Sequence, residues 1–550
     1  MTGLLPQPPH MVGPTWAKNL DGSWHLPDKT LGWGILNWLA AYVRSPDGEG
    51  NFIPTLEQAR FILWLYAVKD DGTYLYRDIV FRRCKGAGKD PLAAALALVE
   101  LCGPVAFSHF AEEEPVGKPR HAAWVQVVAV SQDQTRNTMS LFPVMISKPL
   151  KEQYSLDVNK TIIYSEAGGR IEAVTSSPYS MEGNRPTFVI CNETQWWNGS
   201  NDGHTLAGVI TGNLTKIPNA RRLAICNAHI PGEDSVAERD YDAWQNVVSG
   251  QAVDVSVLYD ALEAPADTPV SEIPSEKEDP DGYAAGIAKL REGVKIAAGD
   301  SYWLPLDAIV EAVLDVRNPV TESRRKHLNQ VNASEDSWIA PYEWDAISDT
   351  EARLVKGDRI TLGFDGSKSN DWTALVACRV EDGCLFLVKA WNPAKYPSEE
   401  VPREDVDATV RSMFESYDVL AFRADVREFE SYIDNWSKSF GKKLKIKASP
   451  NNAIAFDMRG QTKRFSFDCE RFLDAVIEQE VTHDGNLTLR QHVLNAKRYP
   501  TNFDAISIRK ASKDSSRKID AAVCAVLAYG ARIEYLLSKR YRTRKAVVLK

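Results

Sequence analysis

The feature that most constrains the fold of this chain is a short apolar strand that leads directly into a turn rich in glycine and lysine. The strand covers Asp78–Phe81, and the turn reads Arg82-Arg83-Cys84-Lys85-Gly86-Ala87-Gly88-Lys89-Asp90. Glycines let backbone N–H groups face a phosphate, a lysine reaches the terminal phosphates, and the N-terminus of a following helix attracts anions. The predicted helix is Pro91–Leu101, and proline is compatible with a first helical turn. The segment therefore predicts a phosphate loop that binds ATP on an α/β sheet.

This loop departs from the usual phosphate-loop sequence at two positions. Arg83 replaces the first glycine, and Asp90 replaces the serine or threonine that normally binds magnesium. The alternative interpretation is a turn before an ordinary core helix, without a ligand. Upstream, the amide of Gln58 stands where it would read an adenine edge. The predicted nucleotide-binding residues are Gln58, Lys85, Gly86, Ala87, Gly88, Lys89 and Asp90.

A second strand supports the nucleotide site. Thr187–Cys191 is largely apolar and leads into Asn192 and Glu193. In a Walker-B strand, a carboxylate helps to hold magnesium and the following glutamate orients the attacking water. Because Asn192 is neutral, Glu193 is predicted as the catalytic base, and the alternative is a solvated acid at a strand end. We further hypothesise that Asp90 supplies the magnesium carboxylate that is missing at Asn192.

Three aspartates in the second half of the chain predict a metal-dependent nuclease centre. Asp365 ends an apolar strand, Asp425 ends a later apolar strand, and Asp520 opens the final helix. Ribonuclease-H-like nucleases have this order of elements, and two-metal centres hold Mg²⁺ or Mn²⁺ with carboxylates from separate elements. A single strand-end aspartate is more often a turn former. The predicted catalytic residues are Glu193, Asp365, Asp425 and Asp520, and the predicted metal ligands are Asp365, Asp371, Asp425 and Asp520.

Composition is that of a globular protein from a reducing compartment. The 550 residues are 44% hydrophobic and 25% charged, long enough for two or three domains. The eight cysteines include no CxxC pair, which argues against a structural zinc site or a disulfide framework. The longest apolar runs, Leu92–Cys102 and Ala521–Ala531, are too short to cross a bilayer, and the N-terminus lacks a signal-peptide layout. We therefore expect a cytoplasmic protein with no membrane partner.

Changes in composition divide the chain into predicted segments. Residues 1–50 are rich in proline, glycine and tryptophan and predict a loosely structured lead-in with one helix, Gly34–Val43. Residues 51–262 alternate strands and helices, which predicts a mostly parallel sheet. Residues 263–345 begin as an acidic, proline-containing linker and continue as a helical connecting segment. Residues 346–538 are the predicted nuclease domain, and residues 539–550 form a basic tail.

Local basic clusters are the expected contacts for nucleic acid. The formal net charge is −9, so a global field cannot attract DNA. Clusters near the aspartates would position a phosphate backbone without reading its sequence. Each cluster taken alone is equally compatible with a solvated surface. The clustered residues are Lys442, Lys443, Lys445 and Lys447, then Arg509, Lys510, Lys513, Arg517 and Lys518, and the tail.

Taken together, these motifs resemble the large subunit of tailed-bacteriophage terminases. The resemblance covers roughly residues 50–535. It is carried by the motif order Gln58, Lys85–Lys89, Ile190–Glu193, Asp365, Asp425 and Asp520, and by the segments Ala129–Arg136, Ile225–Ser235 and His327–Gln330.

The resemblance implies an N-terminal P-loop packaging ATPase joined to a C-terminal ribonuclease-H-like endonuclease. Large terminases use ATP and Mg²⁺ (or Mn²⁺) to pump double-stranded DNA through a portal protein into a procapsid, and they cut the concatemer. They work with a terminase small subunit and as a homo-oligomeric ring, in the host cytoplasm while transiently docked on the procapsid. In such a ring, Asn227 would belong to the coupling motif, and Arg136 or Arg185 would complete a neighbouring subunit's site.

Two other classes of enzyme fit part of the pattern. A helicase-like ATPase would bind nucleic acid through its C-terminal domain without cutting it. A ribonuclease-H-like recombinase would carry the glycine–lysine turn incidentally and would join strands. Both differ from a terminase in lacking one of the two predicted activities.

Overall fold

The computed structural model describes residues 3–175, 181–248, 256–315, 317–331, 337–367, 371–503, 505–510 and 517–538. The chain divides into two compact units, Met1–Val331 and Asn332–Lys550. Each unit buries apolar clusters of its own. In the described part of the chain, no helix combines the length and the apolar character needed to cross a bilayer.

The first unit is an α/β structure. Its strands are β1 (Met11–Val12), β2 (Asp78–Arg82), β3 (Ala106–Ala111), β4 (Glu114–Lys118), β5 (Trp124–Ala129), β6 (Asp157–Val158), β7 (Ile162–Tyr164), β8 (Arg170–Thr175), β9 (Phe188–Asn192), β10 (Arg221–Cys226) and β11 (Val257–Leu262). Its α-helices are α1 (Gly32–Tyr42), α2 (Leu56–Leu65), α3 (Lys89–Cys102), α4 (Gln132–Met139), α5 (Phe142–Met145), α6 (Lys148–Gln153), α7 (Gly203–Leu214), α8 (Val236–Val248), α9 (Pro280–Ala298), α10 (Leu306–Leu314) and α11 (Val320–Lys326). Single 3₁₀ turns cover Pro14–Trp16, Thr194–Trp196 and Gly199–Asn201.

The main sheet of this unit has the strand order β1-β11-β2-β10-β9-β5-β8-β7-β6. Neighbouring strands from β11 to β8 run parallel, whereas β1, β7 and β6 pair antiparallel with their neighbours. Every residue of β9 and β10 is buried, as expected for parallel strands covered on both faces. The mostly parallel sheet predicted from the sequence is therefore confirmed. The hairpin β3–β4 stands apart from it.

The N-terminal segment packs more closely than its composition predicted. Strand β1 pairs with β11, and the side chains of Trp16 and Trp38 are buried. Helix α1 places Ile35 and Leu39 in the core with no exposed area, so its apolar face fixes the segment to the sheet domain. The segment thus contains the one helix that the sequence predicted, and these apolar side chains are buried in the core.

The predicted connecting segment folds partly into the first unit. The helical part of this segment consists of the separate helices α9, α10 and α11. Gly299 ends α9 with a positive φ of 59°, and Pro305 and Pro319 stand immediately before the next two helices. Leu290 and Val294 share a small apolar cluster with Ala264. The first compact unit consequently extends to Val331, beyond the predicted ATPase boundary at residue 262.

The second unit contains a mixed sheet with the order β14-β13-β12-β15. Strands β12, β13 and β14 are antiparallel neighbours, and β15 is parallel to β12, the arrangement of a ribonuclease-H-like fold. Its strands are β12 (Arg359–Asp365), β13 (Thr373–Arg379), β14 (Leu385–Trp391), β15 (Asp418–Ala424), β16 (Lys497–Pro500) and β17 (Ile506–Arg509). Its α-helices are α12 (Pro341–Ala346), α13 (Arg403–Ser416), α14 (Glu430–Phe440), α15 (Thr462–Ile477), α16 (Leu487–Asn495) and α17 (Asp520–Leu537), with a 3₁₀ turn at Pro393–Lys395.

Candidate functional sites

Parallel strands bring the nucleotide motifs to one edge of the first sheet. In the pairing of β10 with its neighbours, Cys226 lies opposite Arg82 and Ile225 lies opposite Asn192. The phosphate loop, Glu193 and Asn227 follow these strand ends. Carboxyl ends of parallel strands are the usual position of ligand sites in α/β sheets. Three motifs that are far apart in sequence therefore meet at one place.

The phosphate loop has the backbone that its glycines permit. Gly86 and Gly88 have φ of 86° and 78°, in the left-handed region that favours glycine. Helix α3 begins at Lys89, whose side chain is buried. Its Nζ donates to the carbonyls of Arg83 at 3.2 Å and of Cys84 at 3.1 Å. The lysine therefore lies inside the curve of the loop, next to the helix N-terminus that favours anions.

Arg83, the residue in place of the usual first glycine, is directed away from the loop. Its guanidinium pairs with the buried carboxylate of Asp260 on β11 at 2.5 Å and lies over the ring of Phe81, with 4.2 Å from Cζ to the ring centroid. The charge of Arg83 is thus neutralised within the sheet. An arginine in place of the usual glycine does not block the loop backbone from facing a phosphate, because the Arg83 side chain packs against the neighbouring strand β11.

The second departure, Asp90, is paired with the third, Asn192. Asn192 Nδ2 donates to Asp90 Oδ1 at 2.9 Å, and Thr138 Oγ1 donates to the same oxygen at 2.9 Å. Asn192 and Thr138 are buried, and Asn192 Oδ1 is a buried acceptor without a hydrogen-bond partner. The pairing is consistent with one carboxylate serving both motif positions. Nothing in the sequence around Thr138, on α4, indicated this contact.

Glu193 is connected to the phosphate loop through a second missed residue, Gln195. Glu193 adopts a left-handed φ of 56°, and its carboxylate accepts a hydrogen bond from Gln195 Nε2. Gln195 Oε1 accepts from the backbone N–H of Asn227 at 3.4 Å, and Asn227 Nδ2 donates to the Arg83 carbonyl at 2.8 Å. That carbonyl also accepts from Lys89. The predicted base, the predicted coupling residue and the predicted phosphate-binding lysine thus belong to one chain of hydrogen bonds.

Gln58 lies beside the loop together with Trp303, which was not predicted from the sequence. Gln58 forms a capping box with Thr55, and a Cβ at Gly88 would lie 3.6 Å from Gln58 Nε2. The same Cβ would lie 2.8 Å from Trp303 Cζ2, and Trp303 Nε1 donates to the Gly86 carbonyl at 2.9 Å. Lys85 is exposed, and its backbone N–H donates to the Lys326 carbonyl at 2.7 Å.

A reciprocal pair of hydrogen bonds holds the Trp303 segment against α2. The N–H of Glu57 donates to Asp300 Oδ2 at 2.8 Å, and the N–H of Asp300 donates to Glu57 Oε1 at 3.1 Å. Burial raises the pKa of Glu57 to about 7, with Arg83 opposing and Asp300 adding to the shift. The two acids thus lie close together beside the nucleotide site.

The predicted metal-binding aspartates come together in the second unit. Asp365 is the last residue of β12, and the N–H of Asp425, just after β15, donates to the Phe364 carbonyl at 3.0 Å. Asp520 is the first residue of α17. A Cβ at Gly363 would lie 1.9 Å from the Cys524 carbonyl oxygen, so α17 crosses β12 in direct backbone contact. This close approach brings the N-terminus of α17 toward the carboxyl ends of β12 and β15.

Burial and neighbouring charges raise the pKa of three of these carboxyls. The pKa of Asp365 is raised well above its ordinary value by burial and then by the charges of Asp520, Asp425 and Asp371. Burial also raises the pKa of Asp520 to about 7, with Asp371 contributing, and it raises the pKa of Asp425. Neighbouring carboxylates resist simultaneous ionisation, a condition that a bound cation relieves.

Asp371 is held by two lysines from the predicted basic cluster. It pairs with Lys510 and, at 3.0 Å, with Lys518. Burial acts to raise the pKa of Asp371, but the hydrogen bonds and charges of the two lysines outweigh it and leave the pKa lowered. Nearby, burial lowers the pKa of His492 to about 3, and its Nδ1 accepts from the N–H of Ala521 at 3.0 Å. Lys510 and Lys518, which are also predicted DNA contacts, pair with Asp371 in the structure.

The donor set of this centre fits a hard divalent cation. Carboxylate oxygens are the preferred ligands of Mg²⁺ and Mn²⁺, and Asp520 Oδ2 is buried without a hydrogen-bond partner. Within the described ranges, however, no three histidine, cysteine or acidic side chains are already arranged around a metal-sized space. The assignment of Asp365, Asp371, Asp425 and Asp520 as ligands consequently stays a prediction. Lys513 and the basic tail lie outside the described residues.

The fold and these sites define a chain with two units, one carrying a phosphate loop and one carrying a carboxylate centre. No protein-family model matches the chain. It is 62% identical to the Gene 13 protein of Mycobacterium phage L5 and 61% identical to that of Mycobacterium phage D29, over 100% of this chain and 98% of each relative. The chain therefore belongs to the family of these mycobacteriophage Gene 13 proteins.

Solved structures to which the chain is similar include three from large terminases. The crystal structure of the HK97 bacteriophage large terminase is 17% identical over 91% of this chain and 100% of that chain, with a TM-score of 0.47. The large terminase of a thermophilic bacteriophage in complex with ADP is 9% identical over 83% of this chain and 93% of that chain, with a TM-score of 0.26. The magnesium-bound large terminase nuclease of thermophilic phage G20c is 14% identical over 36% of this chain and 97% of that chain, with a TM-score of 0.25.

Proposed function

We propose that this protein is the large subunit of a phage terminase. It would use ATP to move double-stranded viral DNA into a procapsid and would cut concatemeric DNA with a metal-dependent endonuclease. The observation that carries this proposal is the convergence of Asp365, Asp425 and Asp520 at the ends of β12, β15 and α17, in a chain whose other unit contains a phosphate loop. Packaging requires both activities, because translocation needs nucleotide turnover and cutting needs divalent metal.

In the first unit, each residue has a role that its contacts support. Lys89, already at the inner face of the loop, would bind the β- and γ-phosphates, and Glu193 would orient the attacking water. The hydrogen bonds through Gln195 and Asn227 would transmit a change at Glu193 to the loop backbone. Asp90 would hold Mg²⁺ in place of the missing Walker-B carboxylate. Gln58 would contact the adenine base.

In the second unit, Asp365, Asp425 and Asp520 would hold Mg²⁺ or Mn²⁺, with Asp371 as a further candidate ligand. Two such ions, when bound, stabilise the attacking and leaving oxygens of a phosphodiester. The protein orients these carboxylates on packed elements, since α17 contacts β12 at Gly363 and β15 pairs with β12 along its length. Lys510 and Lys518 hold Asp371 in its ionised form.

The proposed partners follow from the same activity. They are double-stranded DNA, a portal protein on the procapsid and a terminase small subunit, and the motor would be a homo-oligomeric ring. Arg136 and Arg185 are both exposed, as an arginine that completes a neighbouring subunit's site must be. The protein would act in the host cytoplasm and dock transiently on the procapsid.

The proposal is tested by incubating the purified chain with plasmid DNA and Mn²⁺, with and without ATP, while cleavage and phosphate release are both measured. We expect metal-dependent cleavage and ATP hydrolysis from the same protein. ATP hydrolysis without cleavage would favour a helicase-like ATPase. Strand joining without ATP binding would favour a recombinase.

A further inference from the structure

The second unit contains a basic groove at some distance from the carboxylate centre. The groove has a volume of about 970 Å³ and lies between the C-terminal half of α14, the loop that follows it and the end of α17. Its lining includes Lys438, Lys442, Lys445, Lys447, Asn452 and Tyr535. We call these residues the lysine groove. All four lysines are exposed.

The lysine groove is separate from the predicted cutting centre. The N–H of Lys445 donates to the Leu420 carbonyl at 2.7 Å, near the start of β15. Asp425 follows the other end of that strand, about 17 Å away at roughly 3.3 Å per residue. Tyr535 lies near the end of α17, about 22 Å from Asp520 at roughly 1.5 Å per residue. From the sequence, these lysines were expected near the carboxylates, and the directions of β15 and α17 correct that expectation.

The charge of the groove is a local property. The whole chain carries a formal net charge of −9, so four exposed lysines around one cavity are not a consequence of a generally basic surface. The nearby carboxylate of Asp434 accepts a hydrogen bond from the lining residue Asn452, with 2.9 Å between Nδ2 and Oδ1. Flexible ammonium groups at the rim suit an extended anion whose charges repeat, which is the character of a nucleic-acid backbone.

We propose that the lysine groove binds the phosphate backbone of double-stranded DNA at a position separate from the cutting centre. This inference rests on the proposed function, because it takes DNA as the substrate. Contacts of this kind position a duplex without reading its sequence. The groove would hold DNA in a way that needs neither divalent metal nor the aspartates. Removing its charge would weaken binding and leave the chemistry of cutting intact.

The test compares wild-type full-length protein with the double variant Lys442→Ala/Lys447→Ala. A double variant of the same charge change, Lys277→Ala/Lys356→Ala, alters exposed lysines outside the groove and serves as the control. Affinity for a linear duplex is measured in EDTA over a series of KCl concentrations. Each lysine that neutralises a phosphate contributes about 0.9 to the slope of log affinity against log salt. We expect the groove variant to lose about two units of slope and the control to lose none.

Cleavage with Mn²⁺ at saturating protein is the second measurement. We expect the groove variant to cut at the wild-type rate, because the aspartates are untouched. The proposal is overturned if the groove variant has the same salt slope as the wild-type protein, or if its slope falls no more than that of the control variant. A reduced cleavage rate at saturation would also overturn it, since the lysines would then belong to the cutting centre. If wild-type protein neither binds nor cuts DNA, the proposed function fails first, and that outcome differs from a failure of the groove alone.

Discussion

The side-chain amide of Asn192 donates to the carboxylate of Asp90, with 2.9 Å between Nδ2 and Oδ1. These two residues are the departures from the usual magnesium-binding motifs, and they are direct partners in the fold. The usual arrangement has a hydroxyl on the loop and a carboxylate on the strand. Here the carboxylate is on the loop and the neutral group is on the strand. This contact supports the hypothesis that Asp90 supplies the carboxylate that is missing at Asn192.

Exchanging these two residues provides the first prediction. Asn192→Asp alone places a second carboxylate against Asp90 and removes a buried donor, so we expect the free energy of unfolding to fall by about 1–3 kcal/mol. The double variant Asp90→Ser/Asn192→Asp should recover stability and magnesium-dependent ADP binding, measured by urea denaturation and calorimetry. If the double variant is no more stable than Asn192→Asp and binds ADP no better, the proposed exchange of roles between the two positions is contradicted. Normal magnesium-dependent ATP hydrolysis by Asp90→Ser would refute the metal role of Asp90.

The two proposed centres are expected to be separable by mutation. Lys89→Ala should reduce ATP hydrolysis by at least about a hundredfold, because it removes a charge that stabilises the transferring phosphoryl group. Cleavage of plasmid DNA by the same variant should persist. Asp365→Ala or Asp425→Ala should have the opposite effect on the two activities. The assays are phosphate release and metal-dependent nicking, and a circular dichroism spectrum controls for folding. Loss of both activities in one folded variant would mean that two independent centres do not exist.

A pH dependence of stability follows from Glu57. Burial raises the pKa of this carboxyl to about 7 from its ordinary 4.5, so the ionised form is disfavoured in the folded protein. The resulting stability is fully present below the unfolded pKa and is lost as the pH rises through the folded value. Glu57→Gln cannot ionise. Between about pH 5 and about pH 8, wild-type protein should lose more free energy of unfolding than this variant in urea denaturation. Parallel pH profiles of the two proteins would show that Glu57 has an ordinary pKa.

Gly363 is expected to tolerate no side chain. A Cβ at this position would lie 1.9 Å from the Cys524 carbonyl and 2.7 Å from the Ala528 nitrogen, both backbone atoms of α17. Gly363→Ala must therefore displace the helix that carries Asp520, with a cost of roughly 1–3 kcal/mol or more and a loss of cleavage. Gly208→Ala is the control, because a Cβ there has no atom within 4 Å. Thermal unfolding and nicking assays measure both effects. A Gly363→Ala protein with wild-type stability would contradict the close helix–strand contact.

Prediction from the sequence was most complete where the cause of a structure is local. The strand before residue 82, the turn with two glycines and the following helix are specified within a few residues, and β2, the loop and α3 have those positions. The order of strands and aspartates likewise predicted which carboxylates of the second unit would meet. Helix breaks near Gly299 and Pro319 and the packing of the N-terminal segment were missed, because they depend on what each segment finds to pack against.

The sequence by itself determined the kinds of chemistry available to this protein, namely a phosphate loop, a strand-end glutamate and a set of aspartates in a particular order. Only the tertiary structure decided which side chains are partners: Asp90 with Asn192, Arg83 with Asp260, and Asp371 with Lys510 and Lys518. It also decided that the lysine groove lies away from the carboxylates. The physical reason is that hydrogen bonds and ion pairs act over a few ångströms. The residues that satisfy them are separated by up to 177 positions in these pairs, so strand order and helix packing determine which of them meet.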